Sequence, residues 1–257
     1  MDDLTAQAEA LLADMKPVSP SAAPGQNMLP PNTRRDVPGE YAPSPVWRAG
    51  DGPATLFVHG WDDTHRVWRL FAMDFIQNQR PALLVDLPGQ GASNAEQAGW
   101  PYAGAAVRDV CAAEAPIDTI IAHSFGCIAT LRAVELGARA DYLVLIAPPL
   151  SGTDGGFRGR QRKKGYSDDV ISRAEALCLE RTGFPASRSD FRSVLEAYEG
   201  RTLIIGSEAD AECPVEPMQA LADGLPNVDV LVYPDLDHRA LAQDTGVLAD
   251  VLAFLGY

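Results

Sequence analysis

A chain of 257 residues, 46% of them hydrophobic, is long enough to close one sizeable core with room for a small insertion. Its formal net charge of −14 argues against nucleic acid, whose binding relies on Lys and Arg neutralising phosphates; it also disfavours an anionic membrane surface, and a solvated acidic exterior is the simpler reading. No apolar run nears the roughly 20 residues of a membrane span, the Met1-Asp2-Asp3 start lacks the pattern of a secretory signal, and Cys111, Cys127, Cys178 and Cys213 are scattered without a Cys-x-x-Cys pair, as in a reducing compartment, the cytoplasm.

Leu4, Ala8, Leu11, Leu12 and Met15 recur at helical spacing, so residues 3–15 read as an amphipathic helix that Asp3 can cap. From Lys16 to Pro45 the chain is rich in Pro, Ser, Ala and Gly, the chemistry of a linker or mobile arm. A different rhythm starts at Val46. Residues 46–49 and 54–58 read as strands, 66–77 as a helix, 82–85 as a strand and 103–115 as a helix. A strand at 119–122, a helix at 125–136 and a strand at 142–146 follow. After an interruption come a strand at 202–205, a helix at 216–225, a strand at 228–232 and a closing helix at 241–255. Short apolar strands alternating with amphipathic helices imply an α/β fold, a mostly parallel sheet with helices on both faces. Ligands in such sheets sit beyond the carboxyl ends of the strands. His59-Gly60-Trp61, Ser124, Asp210 and His238 all follow strand ends closely.

Ser124 lies in the turn Ala122-His123-Ser124-Phe125-Gly126, between a buried strand and a helix. A sharp strand-to-helix turn lifts a serine hydroxyl clear of the backbone and sets the next N–H at a helix N-terminus, where an oxyanion can be held. The residues two before and two after the serine must be small; Ala122 and Gly126 meet that need, although Gly-x-Ser-x-Gly is only partly matched because Ala122 replaces its first glycine.

An activated serine needs a base, and there are four histidines. His59 and His123 are fixed in turns beside their neighbours, and His65 lies in a surface-like loop near Asp62 and Asp63. His238 follows the last strand, on a loop that can hang over the sheet edge, and is the candidate base. The base needs an acid to hold its tautomer. Asp210, in the turn before Cys213-Pro214, is preferred over Glu208, with Asp237 third because adjacency to His238 aims its side chain elsewhere.

The order Ser, Asp, His, with His59-Gly60-Trp61, Asp86-Leu87-Pro88-Gly89-Gln90-Gly91 and the His123-Ser124-Phe125-Gly126 elbow, resembles the α/β-hydrolase fold family over residues 46–257. The resemblance implies an oxyanion hole formed by the backbone N–H groups of Trp61 and Phe125, and it leaves the Asp86 loop as structural turn chemistry. Two departures stand out: Ala122 for glycine at the elbow, and Asp237 where the family often has glycine, which puts a second carboxylate near the imidazole if it faces inward.

Residues 151–200 fall where the family places its helical cap, giving an expected organisation of an N-terminal helix and arm over 1–45, a core over 46–150 and 201–257, and a cap between. Ser167 and Ser189-Asp190 read as caps of two cap helices. Arg158, Arg160, Arg162, Lys163 and Lys164 read as a solvated, mobile lid loop or as a recruiter of anionic substrate groups. Phe157, Tyr166, Phe184 and Phe191 either line an acyl pocket or pack the cap onto the sheet.

The expected activity is that of a cofactor-independent, metal-free serine hydrolase acting on a small-molecule carboxylic ester through an acyl-enzyme, with Ser124 as nucleophile, His238 as base and Asp210 as orienting acid. Carbon–carbon hydrolysis, thioester cleavage, acyl transfer and perhydrolysis use the same machinery, and a non-catalytic ligand-binding scaffold is the rival from another class.

Overall fold

Eight strands form one sheet in the order β1-β2-β4-β3-β5-β6-β7-β8. They are β1 (Arg34–Val37), β2 (Ser44–Ala49), β3 (Ala54–Val58), β4 (Ala82–Val85), β5 (Ile117–His123), β6 (Tyr142–Ile146), β7 (Arg201–Ser207) and β8 (Val228–Tyr233). A computed structural model of the chain describes residues 2–15, 33–150, 157–184 and 190–257. β1 and β2 run antiparallel to their neighbours, whereas β4, β3 and β5 to β8 pair in parallel. Every residue of β3 and β4 is buried, as a parallel strand covered on both faces requires.

Among the described residues the helices are α1 (Asp3–Asp14), α2 (Arg69–Gln77), α3 (Trp100–Glu114), α4 (Phe125–Glu135), α5 (Phe157–Lys163), α6 (Asp168–Thr182), α7 (Arg192–Ala197), α8 (Val215–Ala222) and α9 (Thr245–Leu255). Local chemistry sets several ends. Ser167 caps α6 by accepting the Val170 N–H (3.4 Å), while Asp190 Oδ1 accepts the Arg192 N–H (3.1 Å) ahead of α7; Ser189 lies outside the described residues. The helix expected over 241–255 is divided because Asp244 takes the N–H groups of Gly246 and Val247, starting α9 there and leaving Ala240–Ala242 as a short 3-10 turn. The helix expected from residue 66 likewise opens as a 3-10 turn, His65–Trp68, before α2. None of these helices is long and apolar enough to cross a membrane.

The expected boundary at residue 46 falls too late. Arg34–Val37 is the edge strand of the sheet, registered Arg34↔Trp47 to Val37↔Ser44 on β2, and Arg35 pairs with the buried Glu114 at the end of α3. The expected N-terminal helix is α1, and it packs on α6. Ala8 and Leu11 share an apolar cluster with Val170, Ile171, Ala174 and Leu177 of α6. Polar ties frame the cluster: Arg181 to Glu9, Lys164 Nζ to Asp14 (3.3 Å) and Arg173 Nε to the Thr5 hydroxyl (3.1 Å). α1 and α6, distant in sequence, thus pack as one unit. The expected linker's residues 16–32 lie outside the described residues.

The chain leaves β3 to form β4 on one side, then returns to form β5 on the other. This reversal of strand order creates a crevice at the carboxyl ends of β3 and β5, where Val58 lies opposite Ala122.

Candidate active site

Ser124 sits at that crevice, between β5 and α4, with φ 52° and ψ −125°. Positive φ at a non-glycine residue is strained, and here the surroundings hold it. Its N–H donates to the Ile146 carbonyl (2.8 Å), and its carbonyl accepts the Cys127 N–H (2.9 Å). Gly126 is required by space: a Cβ there would lie 2.5 Å from the His59 carbonyl oxygen and 2.6 Å from that of Val58. Ala122, by contrast, fits fully buried between Val58 and Leu145 on the flanking strands.

His238, on the loop after β8, brings Nε2 to 2.9 Å from Ser124 Oγ and Nδ1 to 2.7 Å from Asp210 Oδ2. A carboxylate only accepts, so Nδ1 carries the proton and Nε2 presents its lone pair to the serine hydroxyl. Asp210 is fixed in the turn after β7, where its Oδ1 takes the N–H groups of Glu212 (2.8 Å) and Cys213 (3.0 Å). Burial pushes this carboxyl up, but the His238 bond and charge together with the two amides outweigh it and hold Asp210 below the usual carboxylate range. Both rivals fall away on geometry. Glu208 is exposed, and Asp237 is exposed with Oδ1 on the N–H groups of Arg239 (3.0 Å) and Ala240 (2.8 Å), capping the turn after His238. The expected second carboxylate at the imidazole is therefore not there.

The other histidines have structural partners. His65 corrects the surface reading: it is buried, stacked on Trp47 with ring centroids 3.7 Å apart, and its Nδ1 and N–H both meet Asp86 Oδ1 (2.9 and 2.7 Å). Asp86 Oδ2 takes the Ala92 N–H (2.8 Å), so this carboxylate organises the loop after β4. His59 Nε2 accepts the Leu87 N–H (3.0 Å), which leaves Nδ1–H to donate to the Gly60 carbonyl (2.7 Å). His123 reaches the histidine loop, its Nε2–H donating to the His238 carbonyl (2.9 Å). Burial, and then the nearby His238, push the His123 pKa down to about 3, so it stays neutral. Sequence adjacency to Ser124 concealed this tie.

The Trp61 and Phe125 rings meet edge to face at 5.0 Å, and neither residue's N–H has a hydrogen-bond partner among the described residues. Asp210, Cys213 and His238 also offer three ligand atoms within 4.8 Å of one another. Their chemistry does not suit a resident metal, because the carboxylate and Nδ1 already share a proton and burial keeps the Cys213 thiol protonated.

The aromatic residues of the cap take the packing alternative. Phe157 and Tyr166 lie against the α1–α6 cluster. Phe184 carries the Arg132 guanidinium 3.0 Å from its ring centroid, and both Phe184 and the fully buried Phe191 meet Trp100 edge to face (5.9 and 6.3 Å). The basic cluster is neither a loop nor free: four of its five residues lie in α5, Arg158 pairs with Glu175, Arg162 with Asp168 (2.8 Å), and Lys164, just past the helix, with Asp14 (3.3 Å). A cleft of about 800 Å³ lined by Ile117, Asp141, Tyr142, Tyr198 and Arg201 opens at the opposite ends of the strands, far from Ser124.

A serine in a sharp strand-to-helix turn at the switch point of a mostly parallel sheet is the arrangement of the α/β-hydrolase class. This chain belongs to the alpha/beta hydrolase family, whose model matches residues 55–251. No curated protein matches it in sequence. Solved structures with the same fold include an esterase from Rhodococcus (TM-score 0.68, 16% identity, covering 87% of this chain and 98% of that one). A thermophilic esterase from Thermogutta terrifontis is similar to the same degree (0.66, 17%, 86% and 97%), as is bromoperoxidase from Bacillus anthracis (0.66, 18%, 87% and 100%).

Proposed function

We propose that the protein is a cofactor-independent serine hydrolase that cleaves carboxylic esters through an acyl-enzyme. The observation that carries the reading is the continuous chain Ser124 Oγ, His238 Nε2, His238 Nδ1, Asp210 Oδ2, with links of 2.9 and 2.7 Å, starting from a strained serine. As Ser124 attacks the ester carbonyl, His238 Nε2 takes its proton and then delivers it to the departing alkoxide. Asp210 keeps Nδ1 protonated and stabilises the imidazolium. The unengaged amides of Trp61 and Phe125 receive the negative oxygen, each donor of this kind being worth about 3–4 kcal/mol. Water, activated by the same histidine, then releases the acid and restores Ser124. Thioester cleavage, acyl transfer and perhydrolysis diverge only in the leaving group or in what intercepts the acyl-enzyme. Four free, buried cysteines fit a cytoplasmic setting.

The test is labelling by a fluorophosphonate probe alongside turnover of p-nitrophenyl esters graded by acyl length. Stoichiometric modification of Ser124, lost in His238→Ala together with turnover, supports the reading. A serine that stays inert in folded wild-type protein means a ligand-binding scaffold instead.

A further inference from the structure

An oxyanion donor is useful only if its peptide plane is held before the charge appears, because reorienting a dipole during the reaction forfeits the stabilisation. Trp61 lies in a loop, so something must hold it. The plane containing its own N–H is fixed by the Gly60 carbonyl, which receives His59 Nδ1–H at 2.7 Å; in a trans peptide the Trp61 N–H points the opposite way. The next plane, joining Trp61 to Asp62, is fixed by a different group. The Asp62 N–H donates to the side-chain oxygen of Gln90, Oε1, at 2.9 Å, and Asp62 is held there with φ 57° despite not being glycine.

Gln90 is 1% exposed, and its Nε2 is buried without a partner among the described residues. Buried away from competing solvent, the amide oxygen holds its bond to Asp62 firmly. The Asp86-Leu87-Pro88-Gly89-Gln90-Gly91 turn fixes the backbone of Gln90. The Gln90 N–H donates to the Leu87 carbonyl (3.0 Å), its carbonyl accepts the Ser93 N–H (2.9 Å), and Gly91, at φ 57°, leaves room for the Asp86 carboxylate that a Cβ would strike.

The geometry points to Gln90 as a positioning residue: its amide oxygen, through the Asp62 N–H, locks the peptide that follows Trp61 and so holds the Trp61 oxyanion donor in place. This rests on the serine-hydrolase reading above and goes beyond it by giving the Gln90 turn a part in the reaction. The side chain does not touch the reacting atoms; it acts on kcat through the preorganisation of one amide.

The experiment compares wild type with Gln90→Met, which keeps the shape and removes the acceptor. Expected for Gln90→Met is a 10- to 100-fold fall in kcat on p-nitrophenyl acetate, somewhat less than outright loss of an oxyanion donor, with KM changed less than about twofold. The inhibition constant of a trifluoromethyl ketone, whose adduct with Ser124 carries the oxyanion, rises by the same factor. The pH midpoint of kcat/KM stays in place, because His238 is untouched, and final fluorophosphonate stoichiometry remains one per chain. Unchanged kcat overturns the proposal, as does a fall in kcat that shifts the pH midpoint but leaves ketone affinity alone. If Gln90→Met does not fold, Gln90→Asn, one methylene too short to reach Asp62, is measured for the same losses. A wild type that neither labels nor turns over ester removes the hydrolase reading and this proposal with it, an outcome distinct from an active wild type with an equally active variant.

Discussion

The strain at Ser124 has a measurable size. Its backbone, φ 52° and ψ −125°, is one that glycine adopts freely and other residues resist, at about 1–3 kcal/mol per residue. Three variants isolate it. Ser124→Ala removes the hydroxyl and its bond to His238 but keeps the Cβ; Ser124→Gly removes the Cβ as well. Ala129→Gly supplies the reference, since Ala129 is fully buried in α4 with ordinary helical backbone. At the reference site, glycine costs about 0.5–1 kcal/mol of backbone entropy and about 0.8 kcal/mol for the lost buried methyl. The same two terms apply on going from Ser124→Ala to Ser124→Gly, but there the released strain offsets them. Ser124→Gly is therefore expected to match or exceed Ser124→Ala in urea unfolding free energy, whereas Ala129→Gly falls roughly 1.3–1.8 kcal/mol below wild type. In a domain of this size, each kcal/mol corresponds to about 2–4 °C in thermal midpoint. If Ser124→Gly falls below Ser124→Ala by as much as Ala129→Gly falls below wild type, the elbow stores no strain and the reasoning is wrong.

Two further outcomes follow from the same site. Gly126→Ala puts a methyl 2.5 and 2.6 Å from the His59 and Val58 carbonyl oxygens, neither of which can step aside without moving the strand end. A loss of about 1–3 kcal/mol is expected, with kcat reduced up to about 100-fold as Ser124 is displaced; a wild-type thermal midpoint and kcat would refute the close approach. For pH, His123 is neutral in the folded state down to about pH 3, whereas in the unfolded chain it protonates below about 6.5. Its contribution to stability is full above pH 6.5 and is lost as pH falls from 6.5 toward 3, amounting to about 2 kcal/mol by pH 5. Urea unfolding at pH 7.5 and 5.0 should show a smaller acid loss in His123→Gln than in wild type; equal losses would mean that His123 already protonates freely in the fold.

The sheet and the placement of Ser124, Asp210 and His238 past strand ends were readable because each depends on a strong local signal. Buried parallel strands must be apolar throughout, and reactive groups collect just past their carboxyl ends. Asp210 and Glu208 are two carboxylates in one turn, and burial after β7 separates them. What stayed hidden depends on contacts remote in sequence. β1 reads Arg-Arg-Asp-Val with only Val37 buried, so no hydrophobic period marks it as a strand. His65, flanked by polar residues, looks exposed until Trp47 and Asp86 are brought against it from β2 and the end of β4. The apolar stripe of α1 was visible, but nothing in its spacing tells that α6 receives it. The five basic residues of the cap show the limit most plainly. Charge density suggests a ligand, but the acidic partners of Arg158, Arg162 and Lys164 come from α6 and α1.

The docking of the first helix on the cap matters for anyone who recombines such enzymes. A graft that transplants residues 151–200 as a self-contained insert would leave the stripe of Ala8 and Leu11 without its complement in the recipient, and would strip Val170, Ile171 and Ala174 of their cover in the transplanted piece. The packing unit is discontinuous, so an exchange of this segment between family members must move two pieces of chain together. A chimera carrying only the later one has both bare apolar faces as its first route to aggregation.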